Sequence, residues 1–211
     1  MAKAARKPAM NVALRTRRMT RGEFFDWAQA QPARFEFDGF QPVAMTGGTF
    51  GHDQITANLR DALRARLRGS GCRAAGPNAG LATIGDAVRY PDALITCSKV
   101  RDDDYLVPGV VVVFEVVSKT SGGTDRVTKL REYQAVPSIL RYVIVEQSVI
   151  GLSVFERSQG DASWTASGLI GGETLRIPEV GIEIPIEEFY TGTELVAAAD
   201  EAVEEPGKEQ R

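Results

Sequence analysis

Apolar and polar residues follow two periods along this chain, and the places where the period changes mark its elements. Thr20-Arg21-Gly22-Glu23 is a capping box, in which Thr20 and Glu23 satisfy each other's backbone donors. Phe24, Trp27 and Ala28 follow at helical spacing, so a helix is predicted over 21–30, stopped by Pro32. Arg34 to Asp38 alternates, Asp38-Gly39 signals a two-residue hairpin turn, and Phe40 to Met45 resumes the strand pattern. Gly47 to Gly51 reads as a flexible connection. From His52 to Arg68 the period is helical, with Ile55, Leu59, Leu63 and Leu67 as the apolar stripe and Arg60, Arg64 and Arg68 beside it. Gly69-Ser70-Gly71 ends that helix.

Leu81–Ile84, Gly85-Asp86 and Ala87–Cys97 predict a second hairpin. Val110–Val117 is continuous, β-branched and apolar except for Glu115, the pattern of a strand buried on both faces. A glycine-rich loop, Ser121 to Thr124, leads into a helix over 125–135 that Pro137 closes. Strands are predicted over 140–146 and 150–157, weaker ones over 163–169 and 174–184, and a helical turn at Ile186–Tyr190. This order predicts an α/β (α+β) domain with one mixed sheet.

Composition narrows the class. With 211 residues, 43% hydrophobic and 25% charged, the chain is an ordinary globular one with one sizeable core. No apolar run approaches the roughly 20 residues of a membrane span, and no apolar leader segment opens the chain. The expectation is a soluble, cytoplasmic protein. Cys72 and Cys97 build neither a disulfide framework nor, with His52 alone to help, a zinc site. The net charge of −3 conceals an asymmetry: residues 1–21 carry seven Lys or Arg and no acid, whereas residues 187–211 carry eight acids against Lys208 and Arg211. The expected organisation is a disordered basic arm over 1–19, one domain over 20–190 and a flexible acidic tail over 191–211.

Glu115 is the residue with the most to explain, because a carboxylate inside Val-Val-Val-Phe-Glu-Val-Val is costly to bury without a cation, a metal or a proton. Asp92 follows Tyr90-Pro91 at the head of a strand. Asp125, Lys129 and Tyr133 recur every four residues along one helix face. Two acids on neighbouring strands with a lysine nearby make a plausible oxygen-ligand site for a hard cation.

In Pro91-Asp92, Glu115-Val116-Val117-Ser118, Asp125-x-x-x-Lys129-x-x-x-Tyr133 and Tyr142-Val143-Ile144-Val145-Glu146, the chain resembles the Uma-two family of the PD-(D/E)XK, restriction-endonuclease-like superfamily. Phe35-Glu36-Phe37-Asp38-Gly39 is similar to that family's first hairpin, and His52 to a histidine opening its next helix. The resemblance spans residues 20–190. It implies a restriction-endonuclease-like core, a mixed β-sheet flanked by helices, and a Mg²⁺-dependent endonuclease acting on nucleic acid, DNA first, as a homodimer. Asp92, Glu115 and the Val116 carbonyl would hold Mg²⁺, with Mn²⁺ as substitute. Lys129 would orient a water or stabilise charge on phosphate. Glu36 would accept from a metal-bound water, and Tyr133 would position Lys129. The chain departs from the superfamily pattern at Val117, where a lysine is usual. In the family that lysine has moved to the next helix, which here makes Lys129 the candidate ahead of Lys119. Glu146 stands where the family commonly has Asp.

Each assignment has a structural counterpart. Asp92 caps a turn, Glu115 and Lys129 form a buried ion pair, His52 bonds helix-end backbone, Asp125 caps its helix, and Tyr133 packs in the core. Arg60, Arg64 and Arg68 either meet a phosphate backbone or form a solvated face. The chain carries no G-x-S-x-G, Walker A or G-x-G-x-x-G motif. The second functional class is a non-catalytic nucleic-acid-binding or assembly module that keeps the nuclease fold.

Overall fold

The computed structural model describes residues 18–117 and 123–196, with side chains in the second segment from residue 126 onward. Most of the basic arm, the end of the acidic tail, Lys119 and the start of the glycine-rich loop lie outside the described residues, as does the side chain of Asp125.

The first helix, α1 (Arg21–Gln29), begins on the expected capping box: Glu23 N donates to Thr20 Oγ1 and Thr20 N donates to Glu23 Oε2. Phe24 is its buried anchor, stacked on Phe37 with ring centroids 5.1 Å apart. Strands β1 (Phe35–Phe37) and β2 (Pro42–Ala44) pair antiparallel with Glu36 opposite Val43. Their connection is longer than the two-residue turn expected at Asp38-Gly39. The Asp38 carboxylate accepts from the amides of both Phe40 and Gln41 at 2.7 Å, stabilising a four-residue loop with Gly39 at φ +86°.

Helix α2 (Phe50–Arg66) starts two residues before the predicted His52, because Thr49 caps it by accepting from His52 N at 3.2 Å. Its stripe of Ile55, Leu59 and Leu63 is buried, each large aliphatic side chain contributing ~1.5–3 kcal/mol. Strand β3 (Arg73–Ala75), not legible in the apolar pattern, follows. The predicted second hairpin is split. Strands β4 (Leu81–Ala82) and β5 (Val88–Arg89) form it, and Tyr90-Pro91-Asp92 then carries the chain into another sheet as β6 (Ala93–Thr96). Proline gives no amide hydrogen to a ladder, so the strand cannot run through it.

Strand β7 (Val110–Val117) is buried as expected and pairs antiparallel with β6. The crossover helix α3 (Gly123–Gln134) returns the chain to β8 (Arg141–Glu146), parallel to β7 with Glu115 opposite Ile144. Strands β9 (Gly151–Glu156) and β10 (Thr165–Ile170) complete a six-stranded mixed sheet in the order β10-β9-β8-β7-β6-β3. The single strand expected over 174–184 is a hairpin, β11 (Thr174–Ile177) and β12 (Ile182–Pro185), broken at Pro178. A 3₁₀ turn over Ile186–Tyr190 packs against α2. The expectation of one mixed sheet is therefore corrected: β2-β1-β5-β4 forms a second sheet and β11-β12 a third.

Cys72 and Cys97 are joined by a disulfide across the end of the β3–β6 pair. Arg73 lies opposite Thr96, so the next residues outward face each other, a juxtaposition that a sequence separation of 25 hides. Among the described residues no helix is long and apolar enough to cross a membrane.

Candidate active site

Along β7, alternate residues face opposite layers. Val112, Phe114 and Val116 join the core under α2, whereas Val113 and Val117 join the core that includes Tyr133 of α3. Glu115 has the parity of the second set and is 6% exposed. Lys129 and Tyr133, four residues apart on α3, both reach it. Lys129 Nζ stands 3.1 Å from Glu115 Oε1, and the Tyr133 hydroxyl donates to the same oxygen at 2.6 Å. Lys129 Nζ is also 3.8 Å from Glu36 Oε1 of β1. Asp92, at the head of β6, accepts from the Val116 amide at 2.7 Å. His52 Nε2, from the first turn of α2, lies 3.5 Å from Asp92 Oδ2.

Five residues singled out in the sequence, Glu36, Asp92, Glu115, Lys129 and Tyr133, thus converge at one end of the large sheet. His52, read there as a helix-end residue, joins them. Glu146 lies beyond the cluster, paired with Arg126 through two hydrogen bonds of 3.1 and 3.0 Å.

Burial pushes the Glu115 carboxyl up to about 7, and the neighbouring charges of Asp92 and Glu36 push the same way. The Lys129 ammonium and the Tyr133 hydrogen bond oppose them. The His52 imidazole is raised by its bond to Asp92, against burial, with further help from the Val116 carbonyl and Glu115. These shifts set the direction of pH dependence. In the native state Glu115 keeps its proton above the ordinary carboxyl value of 4.5, so between about 4.5 and about 7 the native state binds more protons than the unfolded chain. Unfolding free energy then falls as pH rises through that window, and His52 acts in the same direction as pH passes through its raised value. Urea titrations of chelator-treated protein at stepped pH are expected to show this decline, and Glu115→Gln should flatten it. A wild-type curve that rises from pH 5 to 7 would contradict the assignment.

A second buried network holds the first. Arg89 of β5 donates to both carboxylate oxygens of Glu132 on α3, at 2.7 and 2.6 Å, and to Glu36 Oε2 at 3.1 Å. Thr83 Oγ1 donates to Glu132 at 3.0 Å, and the Tyr90 amide donates to Glu36 Oε1 at 3.2 Å. Glu36 is therefore fixed from two sides, and α3 is tied to the smaller sheet. Sequence reasoning missed Arg89 and Glu132. The available signal was Arg89 itself, a cation between Val88 and Tyr90 in an otherwise apolar strand, which needs a buried acid as partner.

The donors suit a hard divalent cation: two carboxylates, from Asp92 and Glu115, and the Val116 carbonyl, all oxygen ligands. Burial is the largest cause of the raised Glu115 value, and a cation bound beside the carboxylate would favour its charged form. Among the described residues no group of three or more His, Cys, Asp or Glu is gathered to hold a metal ion, so a cation here would rest on this two-carboxylate set completed by the carbonyl and by water.

Comparison with known proteins places this geometry in context. Two uncharacterized proteins of Synechocystis sp. are similar over most of their length: slr1290, 22% identical over 173 residues (81% of this chain, 90% of the relative), and sll1609, 20% identical over 166 residues (77% and 93%). The fold matches a crystal structure from Anabaena variabilis described as "a putative nuclease belonging to DUF820". The TM-score is 0.64 at 12% identity, covering 82% of this chain and 98% of that one. The model of the Uma2 family, described as "Putative restriction endonuclease", matches residues 21–187, a span that holds α1, every strand among the described residues and the whole carboxylate cluster. The chain belongs to the Uma2 family.

Proposed function

We propose that this protein is a divalent-metal-dependent endonuclease that hydrolyses phosphodiester bonds of nucleic acid, with DNA as the substrate. The observation that carries the reading is Glu115: a carboxyl buried in the central strand, sharing its site with Asp92 and Glu36 and facing Lys129. Family membership supports it, since the family is described as "Putative restriction endonuclease".

Asp92, Glu115 and the Val116 carbonyl would hold Mg²⁺, or Mn²⁺ in its place. When bound, the ion supplies acidification of a water and neutralisation of charge on the phosphate oxygens. The chain's own residues supply the rest. The Asp92 carboxylate is held against the Val116 amide, and His52 stands on its other side. Tyr133 donates to Glu115 Oε1 and restricts how that carboxylate turns. Lys129 presents an ammonium beside Glu115, where it stabilises negative charge developing on a phosphate. Glu36, fixed by Arg89, offers an acceptor for a proton leaving the attacking water. Two such sites would cut both strands of a duplex in one encounter, so the reading includes a homodimer, the commonest closed assembly. It also includes a cytoplasmic location.

Calorimetry with Mn²⁺ or Mg²⁺ on pure protein tests the reading. Wild type should bind the ion and melt at a higher temperature with it. Asp92→Ala should lose binding and cleavage together. No heat of binding at millimolar metal, with the protein folded, overturns the proposal. The second reading, a non-catalytic nucleic-acid-binding or assembly module, is favoured by the direct Lys129–Glu115 pairing at 3.1 Å, which satisfies the site without a metal. It predicts unchanged melting in Mn²⁺.

A further inference from the structure

Helix α2 ends at Arg66, and the chain turns back into β3 through Leu67 to Cys72. Ser70 builds that turn: its Oγ donates to the Leu67 carbonyl at 2.8 Å and accepts from the Cys72 amide at 3.1 Å. Gly71, at φ +81°, makes the reversal just before Cys72. Cys72 is half-buried and stands in the wall of a shallow depression of about 440 Å³, a volume within the range of small-molecule sites. The other half of the disulfide, Cys97, follows β6 and is exposed, two residues from Lys99.

The depression is electropositive. Arg64, Arg68 and Arg73 line it together with Cys72, and no acidic residue does. All three arginines are exposed, and among the described residues none of them is paired with a carboxylate. Arg66, on the same stretch of chain, is by contrast held by Glu188 at 2.6 Å. Arg73 is anchored by donating to the Val100 carbonyl at 3.1 Å. Partly exposed sulfur in a cationic setting is where cysteine chemistry takes place, because the reacting species is an anion.

We propose that the Cys72–Cys97 disulfide is a thiol-exchange site for a small thiol that carries carboxylate groups. The depression receives the thiol, its carboxylates meet the arginines, and its thiolate attacks Cys72 Sγ. A bond forms between that sulfur and Cys72 as the Cys72–Cys97 bond breaks. The electron pair leaves on Cys97 as a thiolate, which takes a proton from water. A second molecule of the thiol then displaces Cys72 from the mixed disulfide, so two small thiols are oxidised to their disulfide while both cysteines are reduced. The exchange acts on the edge of the large sheet, where β3 pairs with β6 over three residues and has no strand on its other side. Asp92 stands at the opposite end of β6, so the inference does not depend on the nuclease reading.

The test follows reduction of the full chain, purified without reductant, by reduced glutathione, a tripeptide thiol with two carboxylates. Uncharged 2-mercaptoethanol and cationic cysteamine are the comparison thiols. Each rate is divided by that of the same thiol on hydroxyethyl disulfide, which removes differences in thiolate fraction and nucleophilicity. At low salt glutathione should be favoured about tenfold over 2-mercaptoethanol, with cysteamine slowest, and molar salt should erase the order. Arg64→Gln/Arg68→Gln should lose most of the preference while its 2-mercaptoethanol rate stays that of wild type. Early quenching with N-ethylmaleimide and peptide mapping should find glutathione on Cys72 and maleimide on Cys97. Reduced wild type should melt about 5–10 °C below the oxidised form, with faster hydrogen exchange over residues 73–75. The proposal is overturned if glutathione has no advantage that salt or the arginine variant removes, or if the first adduct maps to Cys97. Two free thiols in protein treated with oxidised glutathione would overturn it as well.

Discussion

Lys129→Ala is expected to lower phosphodiester cleavage by about 10²–10³-fold in single-turnover assays, the usual cost of removing one preorganised group that stabilises transition-state charge. Metal binding should persist, because lysine is not an oxygen ligand and its ammonium opposes a cation placed beside Glu115. The variant separates the two functional readings. In a nuclease, Mn²⁺ affinity is kept or rises while hydrolysis falls. In a site that is only a buried ion pair, the loss appears as instability with no metal dependence, since Lys129 lies 3.1 Å from a carboxylate that is almost wholly buried. Lys129→Met, with similar length and no charge, guards against a packing defect. Cleavage within a few-fold of wild type in both variants would remove Lys129 from the mechanism.

Arg89→Met is expected to have the largest effect on stability, about 3–5 kcal/mol in urea unfolding. The Arg89 side chain is 6% exposed and pairs with two carboxylates on different elements, so its removal leaves Glu132 buried with no cation and Glu36 with Lys129 alone at 3.8 Å. Because Glu132 sits on the same helix as Lys129 and Tyr133, the loss should also loosen the cluster. Adding Glu132→Gln removes the charge left without a cation, and the double variant should recover part of the lost stability. A loss under 1 kcal/mol for Arg89→Met would mean that water reaches this network.

The residues legible in the sequence were those whose local setting is chemically anomalous. Glu115 breaks an apolar run, Asp92 follows a proline at a strand head, and Lys129 and Tyr133 recur at helical spacing. The elements with strong periodicity or caps, α1, α2 and β7, were equally legible. What escaped depended on which element covers which face. The Arg89–Glu132 pair spans 43 residues, and nothing local links an arginine on a short strand to one of several charges on α3. His52 looked like an ordinary first-turn residue because its partner, Asp92, arrives only when the chain leaves the smaller sheet after β5 and enters the larger one as β6. That departure was itself hidden, since Ala87–Cys97 alternates well enough to pass for one strand. The disulfide escaped for the same reason, as it depends on the pairing of β3, a strand of three residues with little apolar pattern.

The composition of the buried cluster also bears on the order in which ligands arrive. Glu36, Asp92, Glu115 and Glu132 face the basic groups of Arg89, Lys129 and His52, so the pocket carries a negative excess once Glu115 gives up its proton, above about 7. A phosphodiester approaching such a pocket is repelled at short range, whereas a small divalent cation is drawn in. On the proposed reading, binding is therefore ordered, with the cation first and the polyanion second. Association of DNA measured by stopped flow would then accelerate with metal concentration and saturate once the carboxylates are occupied. The charge state of the pocket, set by whether the cation is in place, would then decide whether the strand stays.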